Sequence, residues 1–313
     1  MRMTPSLPTV ALAPGPLTLP RARALTDALV CASPPYPALD TAPRLAERLA
    51  HLIAGAVAHT GPVSVADQGH RSRDATTCMR IGAYQLLSAG RTSSQHAGPV
   101  SGTTRPFRWT ARRARRTIGL AGLRMILEKQ AGTPAEGVAA VVASAGGADA
   151  LGTRRPGSCA DWLDSLPPAA RVGVRAEATT WATQLWSALE WGRVETAALV
   201  GPPDRWWVCG DRLRVALRGR TDVRISSAGG VHLSMLASQP TAESRLALCL
   251  SALVELLANG PGEVPARVAG WWPEAGKAWI VPVDDAALCA VATLAGHAAA
   301  VRAGGPGLGT SAR

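Results

Sequence analysis

The sequence is poor in lysine, in phenylalanine and tyrosine, and in the spaced residues that mark common catalytic and metal sites. Of its 33 basic residues only Lys129 and Lys277 are lysines, and ten tryptophans stand against two tyrosines and one phenylalanine. With the load of alanine, glycine and proline, this points to a GC-rich coding sequence, so part of the arginine reflects codon bias. No apolar run approaches the roughly 20 residues of a membrane span, and no membrane partner is expected. Pro5, Pro8, Pro14 and Pro16 interrupt the first apolar stretch, so no cleaved leader is expected either.

Cys31, Cys78, Cys159, Cys209, Cys249 and Cys289 form no Cys-x-x-Cys pair. A zinc ribbon and a disulfide framework are therefore not expected, and reduced thiols in the cytoplasm are. His51, His59, His70, His96, His232 and His297 have no spacing typical of zinc, and no nucleophile signature joins a Ser, His and Asp set. Neither a Gly-x-x-x-x-Gly-Lys-Ser/Thr loop nor a Gly-x-Gly-x-x-Gly after a strand is present. Nucleotide-dependent chemistry is not indicated, and no resident cofactor is expected.

What the chain does have is length, an ordinary apolar content and strong positive charge. Its 313 residues suffice for one large or two modest domains, and 47% hydrophobic residues fit the globular class. A net charge of +11 creates a field that favours polyanions such as nucleic acid.

Residues 1–40 are rich in proline, and Ser33-Pro34-Pro35 bars helix continuation, so this segment reads as a partly ordered arm. Thr41 then caps an amphipathic helix, with Pro43 in its first turn and Leu45, Leu49, Leu52, Ile53 and Val57 at helical spacing. Gly61-Pro62 ends it. Val63 to Pro106 is polar and turn-rich apart from an apolar patch at Ile81 to Leu87, and Arg91 to Arg105 reads as a loop and candidate boundary. A second helix begins at Thr110 and runs through Ile118, Leu123, Ile126 and Leu127. Thr133-Pro134-Ala135-Glu136 has capping-box spacing for a third, stopped by Gly146-Gly147. Residues 41–164 thus read as a mainly helical N-terminal region with loops.

Ser165 with Pro167-Pro168 opens the strongest helix, in which Val174, Ala178, Trp181, Leu185 and Ala188 form one apolar stripe. From Ala198 onward the period changes to two. Leu213, Val215, Leu217, Gly219, Thr221, Val223 and Ile225 fall on one face of extended chain, with Arg212, Arg214, Ala216, Arg218, Arg220, Asp222 and Arg224 opposite. A strand at Val231 to Ala237, a helix at Ala242 to Ala258, and strands near Ala266 to Trp272 and Ala278 to Val283 follow. Asp284 caps a last helix that runs to about Arg302, and residues 304–313 are too rich in glycine and proline to order alone. Residues 165–303 therefore read as an α/β domain of order α-β-β-β-α-β-β-α.

Helix, three-stranded meander, helix, strand is the core order of the PD-(D/E)XK nuclease superfamily. Trp181 to Trp191, Arg218-Gly219-Arg220-Thr221-Asp222-Val223, and Pro265 through Trp271-Trp272-Pro273 to Val281-Pro282-Val283 resemble its exonuclease-like branch. The resemblance covers roughly Arg171 to Arg302 and extends to proteins of GC-rich bacteria with the same arrangement. It implies a restriction-endonuclease-like mixed sheet flanked by helices. In such nucleases a carboxylate ending the second strand and an Asp/Glu-x-Lys on the third hold divalent ions that activate water. Asp222 matches the first carboxylate, and Glu177 matches an acidic position that some members place on the first helix. The third strand departs from the pattern, because Ser234 and Leu236 stand where the carboxylate and lysine belong. Some members move the lysine to the following helix, where this chain has Glu243 and Arg245. The resemblance thus implies a degenerate, non-cleaving site. If cleavage survives, it implies magnesium with Asp222, Glu177 and Glu243 as the catalytic residues.

Two arginine groups are candidates for nucleic-acid contact. Arg218, Arg220 and Arg224 surround Asp222, either as internal ion pairs or as a row that tracks phosphates. Arg112, Arg113, Arg115 and Arg116 crowd the first turns of a helix, where the macrodipole disfavours cations; a bound anion or a solvated face accounts for them. In Trp206-Trp207 and Trp271-Trp272 neighbouring rings face opposite sides of a strand. One of each pair is then a candidate for stacking a base or anchoring a protein, and burial under helices is the alternative. The expected function is nucleic-acid binding on a catalytically degenerate nuclease-like fold. The alternatives are a protein-interaction or regulatory module, with a protein partner or as a homo-oligomer, and a divergent magnesium-dependent nuclease.

Overall fold

A computed structural model of the chain describes residues 17–18, 22–30, 42–58, 78–83, 86, 108–143, 151, 156–194, 198–200, 205–209, 214–226, 230–236 and 239–302. The cap at Thr41, the turn at Gly61-Pro62, the loop 91–105, Gly146-Gly147, the tail 304–313 and most of the segment before residue 41 lie outside the described residues.

The helices are α1 (Ala22–Val30), α2 (Ala42–Ala58), α3 (Ala111–Leu127), α4 (Pro134–Ala143), α5 (Cys159–Ser165), α6 (Pro168–Ser187), the single turn α7 (Trp191–Val194), α8 (Ala242–Asn259) and α9 (Asp285–Arg302). Apolar spacing explains most of them. On α2, Leu45, Leu49 and Ile53 are buried on one row, while Leu52 beside it is 45% exposed. On α6 all of Val174, Ala178, Trp181 and Leu185 are buried, as is Ala188 just beyond its end. The Thr110 hydroxyl caps α3 by accepting the Arg113 amide, and Asp284 Oδ1 caps α9 by accepting the Ala287 amide at 2.7 Å. At α4 the Thr133 hydroxyl accepts the Glu136 amide, but Glu136 reaches one residue further back than a capping box would, to the Gly132 amide at 2.8 Å.

Helix α1 differs from the arm expected for residues 1–40. Leu25, Thr26 and Leu29 are buried, and the Thr26 hydroxyl accepts the Glu190 amide at 2.9 Å. The Arg267 guanidinium donates to the Ala28 and Leu29 carbonyls at 3.1 and 2.9 Å, groups that a helix end leaves without partners of its own. These partners lie 164 to 239 residues away, so no local pattern announces the helix.

The strands are β1 (Leu17–Thr18), β2 (Cys78–Ile81), β3 (Ala198–Val200), β4 (Arg205–Cys209), β5 (Arg214–Gly219), β6 (Val223–Ile225), β7 (Val231–Met235), β8 (Arg267–Trp272) and β9 (Lys277–Pro282). They form a six-stranded sheet of order β1-β9-β8-β7-β6-β3 and a three-stranded sheet of order β2-β5-β4. In the larger sheet only β7 and β8 run parallel, joined through α8, and the other pairs are antiparallel. The chain is thus a mixed α/β protein. Strand β2 falls in a stretch read as turn-rich, because four residues are too few to display alternation; its parallel pairing with β5 places it.

One hydrophobic core packs α1, α3, α4, α5 and α6 against Val223, Ile225, Val231, Leu233 and Met235 of the larger sheet. A second packs α2, α8 and α9 against Val215, Leu217, Val268, Trp272 and Val281. The period-two run from Val215 to Ile225 therefore does not keep to one environment. Val215 and Leu217 enter the second core and Val223 and Ile225 the first, so the chain turns over at residues 220–222, where it passes from one sheet to the other.

Candidate functional site

Asp222 sits at that turnover, at the mouth of β6, and its side chain is 0% exposed. Its Oδ1 accepts the Arg116 Nε–H from α3, and its Oδ2 accepts the Met235 amide at 2.6 Å from the end of β7. Arg220 Nη2 lies 3.5 Å from Oδ2 and donates to the Met235 carbonyl at 2.9 Å. Arg116 Nη2 also donates to the Thr221 carbonyl at 2.9 Å. Both carboxylate oxygens are thus occupied by protein donors. Burial pushes the Asp222 carboxyl up, but the positive charges of Arg116 and Arg220, with the Met235 amide, outweigh it and hold the carboxyl below its ordinary range.

That depression fixes the sign of a pH dependence. A carboxylate whose folded value is lowered contributes stability above its unfolded value, near pH 4, and loses it as pH falls through the lower folded value. Asp222→Asn, which keeps an acceptor for Met235, is expected to lose about 2 kcal/mol at pH 7. The gap to the native protein should close progressively below about pH 4 in urea titrations. A gap of constant size between pH 7 and pH 3 would show that Asp222 is not held ionised by these partners.

Among the described side chains, Glu177, the other carboxylate matched to the nuclease pattern, does not join Asp222. Glu177 on α6 is 47% exposed and pairs with Arg115 Nη1 of α3 at 3.5 Å. The Ser234 hydroxyl donates to the Arg220 carbonyl at 2.8 Å, and Leu236 packs against the second core. Glu243 lies in the first turn of α8, and its side chain is outside what is described. Arg245, two residues on, places its guanidinium carbon 5.1 Å from the Trp279 ring centroid. Among the described residues, no group of three or more His, Cys, Asp or Glu side chains could hold a metal ion. Asp222 as arranged would have to give up Arg116 before it could bind one.

The seven candidate arginines divide by environment. Arg116 and Arg220 serve Asp222, and Arg224 donates to Glu255 of α8, a carboxylate that is itself buried. Asn259 Nδ2 supplies Glu255 with a second donor at 2.6 Å. Arg115 pairs with Glu177 across α3 and α6. Arg112 and Arg113 are exposed at the start of α3, Arg113 donating to the Arg108 carbonyl at 2.6 Å, and Arg218 is exposed on β5. Glu255 escaped the sequence reading, although a carboxylate inside Leu253-Val254-Glu255-Leu256 is a signal that a buried cation must meet it.

Among the tryptophans, Trp272 and Trp279 are buried against each other edge to face, and Trp271 is half-buried against the first core. Trp206 alone of its pair is exposed, at 40%, while Trp207 packs inward. No helix among the described residues is long and apolar enough to cross a membrane. In comparisons with protein-family models, curated proteins and solved structures, nothing matches this chain.

Proposed function

We propose that the protein binds nucleic acid on a nuclease-like α/β fold whose catalytic site has been replaced by an internal ion pair, and that it does not cleave. The observation that carries this reading is the seat of Asp222. Asp222, the carboxylate that matches the end of the second strand in the nuclease pattern, is wholly buried, and Arg116 supplies the positive charge that a divalent ion would otherwise bring. In support, β3, β6 and β7 lie side by side as antiparallel neighbours, although β4 and β5 of the smaller sheet intervene in the chain, and α8 leads from β7 to the parallel β8. The net charge of +11 and the exposed Arg112 and Arg113 at the head of α3 supply the attraction for phosphate.

The test is incubation of the purified protein with labelled single- and double-stranded DNA, with magnesium, manganese or chelator, at two salt concentrations. The expected result is a native-gel shift that weakens steeply with salt, with intact DNA on the denaturing gel in every lane. Each phosphate contact contributes about 0.7 to 0.9 to the log–log salt slope, so replacing Arg112 and Arg113 by alanine should lower it by up to about 2. Metal-dependent cleavage would overturn the non-cleaving reading. Absence of any shift would overturn the nucleic-acid reading and favour a protein-interaction module of the same fold.

A further inference from the structure

The three-stranded sheet presents an outer face that the nuclease-like arrangement does not use. On that face β2 and β5 set the exposed Arg80 and Arg218, and none of β2, β5 and β4 carries an acidic residue. Their inner positions are closed: Ile81, Val215 and Leu217 are buried in the second core, with Trp207 and Cys209 packed against it. Strand alternation sends Trp206 and Val208 the other way, and they are 40% and 50% exposed, among the largest apolar surfaces the described chain offers.

Trp206 is not a stray ring. It stands directly across the ladder from Arg218, with Arg80 of β2 reaching it from beyond β5. The two guanidinium carbons lie 5.5 and 5.7 Å from the ring centroid. Such contacts fix the orientation of the indole while leaving much of it open, and they set two always-charged phosphate-matching forks beside an aromatic plane.

We propose that this face, centred on Trp206, is a stacking platform for single-stranded nucleic acid. The inference rests on the nucleic-acid reading above and deepens it by naming the strandedness and the surface. A base stacks on the Trp206 ring against the apolar edge given by Val208, while Arg80 and Arg218 bind the flanking phosphates. A duplex is not the occupant, because its bases are already stacked on one another and offer no free face to the ring. The positive charge of Arg80 and Arg218 beside the ring favours a polyanion over an apolar protein surface.

Fluorescence anisotropy of a labelled oligodeoxythymidylate, an oligouridylate and a mixed-sequence duplex tests the proposal with the full chain. Trp206→Ala is expected to weaken binding of the single strands about tenfold or more and to leave the duplex unchanged, while Trp206→Phe stays within about threefold of the native protein. Arg80→Ala should reduce the single-strand salt slope by about one contact. Because Trp206 lies outside both cores, the thermal midpoint of Trp206→Ala should match the native value, which separates lost contact from lost fold. Loss of affinity for only one of the two single strands would still support the platform and identify the sugar it accepts. Unchanged single-strand affinity in Trp206→Ala would overturn the platform and leave the nucleic-acid reading standing, whereas no binding of any probe by the native protein would overturn both.

Discussion

Replacing Arg116 by alanine is expected to destabilise the protein by about 3 to 5 kcal/mol, the usual cost of leaving one member of a buried ion pair without its partner. The Arg116 side chain is 15% exposed and that of Asp222 fully enclosed, so little solvent screens the loss. In the variant, Asp222 keeps the Met235 amide and the more distant Arg220, but Oδ1 and the Thr221 carbonyl both lose their donor. Urea unfolding at pH 7 measures the effect. The double variant Arg116→Ala, Asp222→Ala should be less destabilised than the sum of the two single variants by 1 kcal/mol or more, because neither charge is then stranded. Strict additivity would mean that the pair does not act as a unit. The same variant probes function. With Arg116 gone, Asp222 is open to a cation, yet Ser234 and Leu236 provide no second carboxylate and no lysine. Manganese should therefore neither restore stability to Arg116→Ala nor induce cleavage by it; cleavage that appears on its addition would mean that Arg116 inhibits a competent site.

Much of the C-terminal architecture is legible because its signals are local. The α6 stripe from Val174 to Leu185, the short apolar runs of β8 and β9, and the Asp284 cap each lie within a few residues or turns of chain, where local sequence speaks directly. The site is half legible for the same reason. Asp222 stands out as a lone carboxylate among arginines on one strand, and Arg220 is indeed beside it. Its principal partner, Arg116, is 106 residues away on α3, and only the packing of α3 against the sheet brings the two together. In sequence Arg116 looks like one more member of the Arg112 to Arg116 group, although it stands between the buried Ala114 and Ile118. Long-range pairing likewise hides α1, whose carbonyls await Arg267, and β2, which exists as a strand through β5. The side change at residues 220–222 is hidden differently. Period two continues across it unbroken, and only the assignment of β5 and β6 to separate sheets reveals that the two halves face opposite cores. Glu177 is the converse case: its matching position is plain in the sequence, but its exposed pair with Arg115 depends on the packing of α6 on α3.

The position of Arg116 depends in turn on how closely α3 is seated, which makes Gly137 the most sensitive small residue in the helical layer. A Cβ at Gly137 would lie 2.3 Å from the Gly122 carbonyl oxygen, and one at Gly122 would lie 2.7 Å from the Val138 amide nitrogen. Both obstacles are backbone, which cannot rotate away as a side chain can. Gly137→Ala must therefore push α4 off α3, opening the contact among Leu123, Val138 and Val141 in the first core. Overpacking of this kind costs about 3 kcal/mol when the obstacle cannot yield. Gly173 on α6 provides the opposite case within the same layer, because nothing lies within 4 Å of a Cβ there. Gly173→Ala should stabilise by about 0.5 to 1 kcal/mol through helix propensity alone. Thermal or urea unfolding of the two variants should thus move in opposite directions from the native protein. If Gly137→Ala shifts α3, it also draws Arg116 away from Asp222, and its acid titration should flatten toward that of Asp222→Asn. An unchanged acid profile in a destabilised Gly137→Ala protein would show that the ion pair holds its geometry independently of the helix seat, and that the site is more rigid than the layer that carries it.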